Sequence, residues 1–153
     1  MKTAVILSDT HGNFSAIDKL LPIMDEANFV IHLGDHDSDI LSYRKELKDK
    51  IVSVKGNCDG GSDEQILNVE GVKILITHGN LYGVKQSLYK LTLRAKELGA
   101  SAVFYGHTHQ AQIDFIDGIQ FVNPGAMTRF SEKSYCYAVF YGGKLTAKIV
   151  PFN

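Results

Sequence analysis

Five short apolar runs in this 153-residue chain each stop at a break that holds Asp, Asn or His. Run 4–7 leads into Ser8-Asp9-Thr10-His11-Gly12, run 29–33 into Gly34-Asp35, and run 51–54 into Gly56-Asn57. Run 72–76 leads into Thr77-His78-Gly79, and run 102–105 into Gly106-His107-Thr108-His109. Apolar runs this short, bounded by glycine, read as buried strands. Between them, Phe14, Ile17, Leu20, Leu21 and Met24 recur at helical spacing, with Asn13 as the expected N-cap. Ile40, Leu41 and Leu47 mark a short helix over 39–47, and Val84, Leu88, Leu91, Ala95 and Leu98 a longer one that Gly99 should end.

Strands alternating with helices predict an α/β fold. Turn chemistry predicts hairpins at Glu70-Gly71, Asp117-Gly118 and Gly142-Gly143, so the last third should be mostly antiparallel strand. With no repeat or linker, the reading is a single domain over residues 1–153. Apolar residues make up 44% and charged residues 22%, the profile of a soluble globular chain. A net charge of −1 argues against a basic nucleic-acid or membrane-binding face but leaves a small phosphate-bearing ligand open. Cys58 and Cys136 match no metal-finger spacing, and no run is long enough to span a bilayer or form a signal-peptide core. A cytoplasmic protein is expected. The tyrosines of the last third are read as packing or as a homo-oligomer surface.

In extended backbone, residues two apart point the same way, which would aim His107 and His109 at one spot. Ligands gather beyond the carboxyl ends of strands in open α/β sheets. Seven residues stand at such ends: Asp9, His11, Asp35, Asn57, His78, His107 and His109. Singly, each break is an ordinary turn or cap. Together they offer carboxylates, imidazoles and one amide without a thiolate, a set suited to Mn²⁺, Fe, Ni²⁺ or Zn²⁺. Seven donors exceed one tetrahedral ion and suit two ions sharing a carboxylate. Such a pair, roughly 3.5–4 Å apart, is the clamp used for in-line displacement at phosphorus.

Asp9-Thr10-His11, Gly34-Asp35, Gly56-Asn57, His78-Gly79 and Gly106-His107-Thr108-His109 resemble the five blocks of the calcineurin-like metallophosphoesterase superfamily. Gly56-Asn57-Cys58-Asp59 and Asn123-Pro124-Gly125 resemble its small bacterial and archaeal phosphodiesterase branch, which shares the fold of the retromer subunit Vps29. The resemblance covers nearly the whole chain. It implies a four-layer α/β/β/α sandwich with mixed sheets and two divalent ions, Mn²⁺ foremost, at one edge. One ion would take Asp9, His11 and His109, the other Asn57, His78 and His107, with Asp35 bridging. The implied activity is hydrolysis of a small phosphodiester, with water activated between the ions attacking in line. Asp35, Asn57 and His107 would be the catalytic set, with Asp59 as a candidate proton donor or merely a turn carboxylate.

A phosphomonoesterase is the near alternative, and a non-catalytic scaffold like Vps29 the distant one. Three departures stand out: Cys58 where larger relatives carry a His, Asn80 where a second His is frequent, and Ala126 where Ser is common. His32, inside a strand, reads as a packed histidine. His36, Asp37 and Arg129 each admit a supporting role or a solvated one. Specificity should come from loops 81–88 and 127–134.

Overall fold

The computed structural model describes residues 1–57, 63–130 and 132–152. In chain order its first half runs β1 (Lys2–Leu7), α1 (Phe14–Glu26), β2 (Phe29–His32), α2 (Asp37–Leu41), α3 (Arg44–Leu47) and β3 (Ile51–Ser53). Then come β4 (Glu64–Val69), β5 (Val72–Thr77), α4 (Tyr89–Leu98) and β6 (Ala102–Phe104). The chain closes with β7 (Gln112–Ile116), β8 (Ile119–Asn123), β9 (Lys133–Tyr141) and β10 (Lys144–Phe152).

The strands form two mixed five-stranded sheets, ordered β10-β9-β1-β2-β3 and β4-β5-β6-β8-β7. In the first, β1, β2 and β3 are parallel and β9 runs antiparallel to β1. In the second, β5, β6 and β8 are parallel and the edge strands β4 and β7 are antiparallel.

The side-chain alternation of a strand sets the layers. Along β1, Ala4 and Ile6 point between the sheets, joining Ile31, Ile74, Ile76, Phe104, Val122 and Phe140. Val5 and Leu7 point outward, under Ile17, Leu20 and Met24 of α1. On the far side, Leu91 and Ala95 of α4 cover Leu75, Val103 and Phe121. The order is helix, sheet, sheet, helix, as the family resemblance implies. Each such aliphatic side chain taken fully out of water contributes about 1.5–3 kcal/mol, so three continuous apolar layers fix the stacking. Cys136 is buried between the sheets, and burial pushes its thiol up to about 12.

Local signals hold where they are chemical. In the hairpins, Glu70 (φ 49°) and Gly71 (φ 82°), Asp117 (φ 52°) and Gly118 (φ 77°), and Gly142 and Gly143 (φ 60° and 79°) all take the positive φ that two-residue turns require. Gly99 ends α4 in the left-handed region, its N–H donating to Ala95 and Lys96 carbonyls. The cap of α1 is Asn13: its Oδ1 accepts from Ala16 N at 3.3 Å while Nδ2 donates to the Met127 carbonyl at 2.9 Å. Asn13→Ala removes both bonds and should cost about 1–2 kcal/mol, read as a lower urea midpoint at unchanged slope.

Two expectations need correction. The helix over 39–47 is two short helices, because Tyr43 leaves helical geometry (φ −99°, ψ 19°). The Tyr43 hydroxyl donates to Asp18 Oδ1 at 2.5 Å, tying the break to α1. The helix over 84–98 begins only at Tyr89: Val84 and Leu88 pack in the same cluster as Leu91 and Ala95, but from an irregular loop. Gly83 (φ 60°) starts that loop, its carbonyl accepting from Gln86 N and Ser87 N in a turn that does not continue. Among the described residues, no helix is long and apolar enough to cross a membrane.

Candidate metal centre

The carboxyl ends of β1, β2 and β3 open at the same edge as those of β5 and β6, where the two sheets meet. Backbone bonds lace the loops together: Asp9 N donates to the Gly34 carbonyl and Gly106 N to the His78 carbonyl, both at 3.0 Å. Across the sheets, His78 Nδ1 donates to the Leu33 carbonyl at 2.7 Å. That bond fixes the tautomer and leaves the His78 Nε2 lone pair facing the opening.

Two donor groups form there. Asp9, His11, Asp35 and His109 each place a ligand atom within 4.8 Å of the others; so do Asp35, His78 and His107, with Asp35 in both groups. His109 Nε2 lies 3.0 Å from Asp9 Oδ1, and His11 Nε2 stands 3.8 Å from both Asp9 Oδ1 and Asp35 Oδ2. In the second group, His78 Nε2 is 3.5 Å from Asp35 Oδ2 and 3.1 Å from His107 Nδ1. Asp9 Oδ2 is occupied, accepting from the Ser8 hydroxyl at 2.5 Å and His107 N at 3.3 Å, which aims Oδ1 at the opening.

The arrangement is wrong for an ordinary polar cluster and right for cations. Asp9 and Asp35 are buried side by side, which is costly without compensating positive charge. His11 Nε2 is buried with no hydrogen-bond partner. The Asn57 side-chain oxygen faces only acceptors, the two Asp35 oxygens and His78 Nε2; turned over, its nitrogen would donate to them at 3.0, 3.2 and 3.2 Å. With a cation between these groups the oxygen would face inward; with none, the turned amide satisfies all three acceptors. Burial first, then the His78 and Lys85 charges, hold the His107 imidazole below the usual histidine value and favour the neutral form, which has a lone pair to give. These residues fit divalent metal ions.

Backbone strain is concentrated here. Asp9, His11, Asp35, His107 and His109 all adopt left-handed φ, between 43° and 70°, a region costly for residues with a Cβ. This overturns the extended geometry expected of His107 and His109. The two imidazoles do not share one direction, since each contributes to a different donor group.

Behind the site runs a buried relay that sequence reasoning missed. Gly34 N donates to His32 Nδ1 at 3.1 Å, so His32 Nε2 carries the proton and donates to Thr10 Oγ1 at 3.0 Å. Thr10 in turn donates to Asp39 Oδ2 at 2.7 Å, and Gly12 N reaches the same oxygen at 2.6 Å. The relay clamps the Asp9–His11 turn from below; such outer partners commonly set ligand orientation. His32 is thus a packed histidine. Asn123 does similar service opposite, its Nδ2 donating to the Gly106 carbonyl at 3.2 Å and Thr108 Oγ1 at 2.9 Å.

Other sequence candidates stand farther back. His36 is the N-cap position of α2, its ring centroid 4.7 Å from that of His11, and Asp37 begins α2. Arg129 lines a separate surface cavity with Lys19 and Lys133. Asn80 lies in a short 3-10 turn. Cys58 and Asp59 fall outside the described residues.

A family model, the calcineurin-like phosphoesterase superfamily domain, matches residues 1–142. The chain belongs to this superfamily and is a metal-dependent phosphoesterase. It is 36% identical over 127 residues to the protein named "Probable metallophosphoesterase YsnB" of Bacillus subtilis, covering 80% of this chain and 73% of that one. It is 29% identical over 140 residues to a phosphodiesterase of Methanocaldococcus jannaschii, covering 78% and 81%. Among solved structures, a predicted phosphoesterase from Streptococcus pneumoniae superposes with a TM-score of 0.80 at 25% identity, covering 98% and 89%. Vps29 of Entamoeba histolytica complexed with Zn²⁺ superposes at 0.77 and 17% identity over 99% of both chains, a likeness of fold.

Proposed function

We propose that this chain is a cytoplasmic phosphodiesterase that holds two divalent ions, Mn²⁺ foremost, and hydrolyses a small phosphodiester by in-line attack of water at phosphorus. Asp9, His11 and His109 would hold one ion, Asn57, His78 and His107 the other, with Asp35 between them. When bound, such ions supply Lewis acidity and activate water at neutral pH. The observation that carries the reading is the Asp35 carboxylate, common to two donor groups that otherwise share no residue.

The chain's own part is preorganisation. The Ser8 hydroxyl and His107 N–H fix the Asp9 carboxylate, the Leu33 carbonyl fixes the His78 tautomer, and the Asp39–Thr10–His32 relay holds the turn carrying His11. Donors set before the substrate arrives need no reorganisation during reaction. Asp59 stays the candidate for protonating the leaving alcohol, from its place two residues after Asn57. The fold likeness to Vps29 is the one observation favouring a scaffold, and a scaffold has no need of seven competent donors or of the strain that sets them.

Chelator-stripped protein should be inactive toward bis(4-nitrophenyl) phosphate and regain hydrolysis on addition of Mn²⁺. 4-Nitrophenyl phosphate, assayed in parallel, should be the poorer substrate. Inactivity with Mn²⁺, Fe²⁺, Ni²⁺ and Zn²⁺ alike would leave the scaffold as the better reading, and preference for the monoester would make the chain a phosphomonoesterase.

A further inference from the structure

Beside the metal centre lies a cavity of about 530 Å³, lined by residues of the 84–88 loop and of the segment from Tyr105 to Gln112. Its volume is that of a small-molecule site, more than a phosphate needs. Two lining residues relate the cavity to the centre: Thr108 lies between His107 and His109 in the chain, and the Lys85 charge bears on His107. The lining has a definite chemistry. Gln86, Gln110 and Gln112 offer three side-chain amides, Lys85 supplies the one cation, and no carboxylate is among the described lining residues. Just outside this lining, the Asp114 carboxylate accepts from the Gln112 amide at 2.7 Å, which leaves that amide one further N–H to give. Burial first, then the Asp114 charge, raises the Tyr105 hydroxyl to about 12, so it enters the wall uncharged. A wall of amides with one ammonium suits a polar, negatively charged group and disfavours an alkyl or lipid chain.

Resting on the phosphodiesterase reading above, we propose that this cavity holds one alcohol half of the substrate, and that this half is polar and carries its own negative charge, recognised by Lys85 and the three glutamine amides. The substrate class is then a diester between phosphate and an anionic alcohol, such as a hydroxy acid or a phosphorylated polyol. Lys85 acts on specificity and leaves the bond-breaking step to the centre next door.

Two symmetric diesters test this, because either arm of each can enter the cavity: bis(4-carboxyphenyl) phosphate and bis(4-nitrophenyl) phosphate, both with Mn²⁺-loaded protein. An exposed charge pair is worth about two- to fivefold in binding. Lys85→Gln should therefore raise KM for the carboxylated diester about two- to fivefold more than KM for the nitro diester, with kcat for the carboxylated diester little changed. Lys90→Gln, a charge change on α4 outside the cavity lining, should produce no such difference. Occupancy is read without turnover on chelator-stripped protein, free of paramagnetic Mn²⁺, from ¹⁵N-resolved NMR shifts of the Gln86, Gln110 and Gln112 side-chain amides on adding the carboxylated diester. Hydrolysis with equal KM changes for both diesters, or with no amide shifts, overturns the cavity assignment and leaves the phosphodiesterase reading standing. Amide shifts without hydrolysis of either diester do the reverse.

Discussion

Asp35→Asn should lower Mn²⁺-dependent hydrolysis of bis(4-nitrophenyl) phosphate about 10³-fold or more, and cut the bound metal, measured by mass spectrometry after dialysis, to at most one ion per chain. The scale follows from what a bridging carboxylate does. Metal stabilisation of transition-state charge is worth several kcal/mol, and each 1.36 kcal/mol is tenfold in rate. Asp35 Oδ2 lies 3.5 Å from His78 Nε2 and 3.8 Å from His11 Nε2, and among the described residues Asp35 alone is common to both groups. A global fold defect is separable from this loss. Asn keeps the shape of Asp and relieves the crowding of two buried carboxylates, so the chelated variant should melt no lower than chelated wild type. Wild type at 100 times the metal dissociation constant should gain about 2.7 kcal/mol of stability that the variant largely lacks. Full activity with unchanged metal content in the variant would sink the bridging role.

Gly34→Ala should have the largest effect on folding. Gly34 has φ +101°, and an added Cβ would lie 2.6 Å from Gly56 N, 2.8 Å from Gly56 Cα and 2.9 Å from His78 Nδ1. Two of these neighbours are backbone and cannot turn aside, and the third is pinned by its bond to the Leu33 carbonyl. Strain at such a φ costs about 1–3 kcal/mol and overpacking about as much again, giving about 3–5 kcal/mol by urea unfolding, with loss of metal binding. Gly118→Ala makes the control: its φ is +77° but nothing lies within 4 Å of the added Cβ, so only the conformational cost of about 1 kcal/mol applies. Equal losses in the two variants would mean that the tight packing of Gly34 on Gly56 contributes nothing.

What could be read from the residues, and what could not, divides along physical lines. Asn13, Gly99 and Asp117-Gly118 announce themselves because a cap or a turn is local chemistry, decided within four residues. The candidate donors are brought together for a related reason: each follows a strand, and parallel strands bring their ends together. Val84 and Leu88 mislead because a period of three and four records burial on one side, which an irregular loop laid against α4 also achieves. Asp39 is invisible for the opposite reason. Its partners, Thr10 Oγ1 and Gly12 N, lie 29 and 27 residues away, and no spacing rule links them. The left-handed backbone of His107 and His109 is hidden as well, since non-glycine residues take that conformation only when the surrounding fold compels it.

The donors come unevenly from the two halves of the sandwich. Asp9, His11, Asp35 and Asn57 follow strands of one sheet, while His78, His107 and His109 follow strands of the other. A cation shared between such residues would therefore also be a rivet through the seam of the molecule. Loosening that fastening to free a product would slacken the architecture around it, which leaves the loops at the rim as the place where turnover can be tuned.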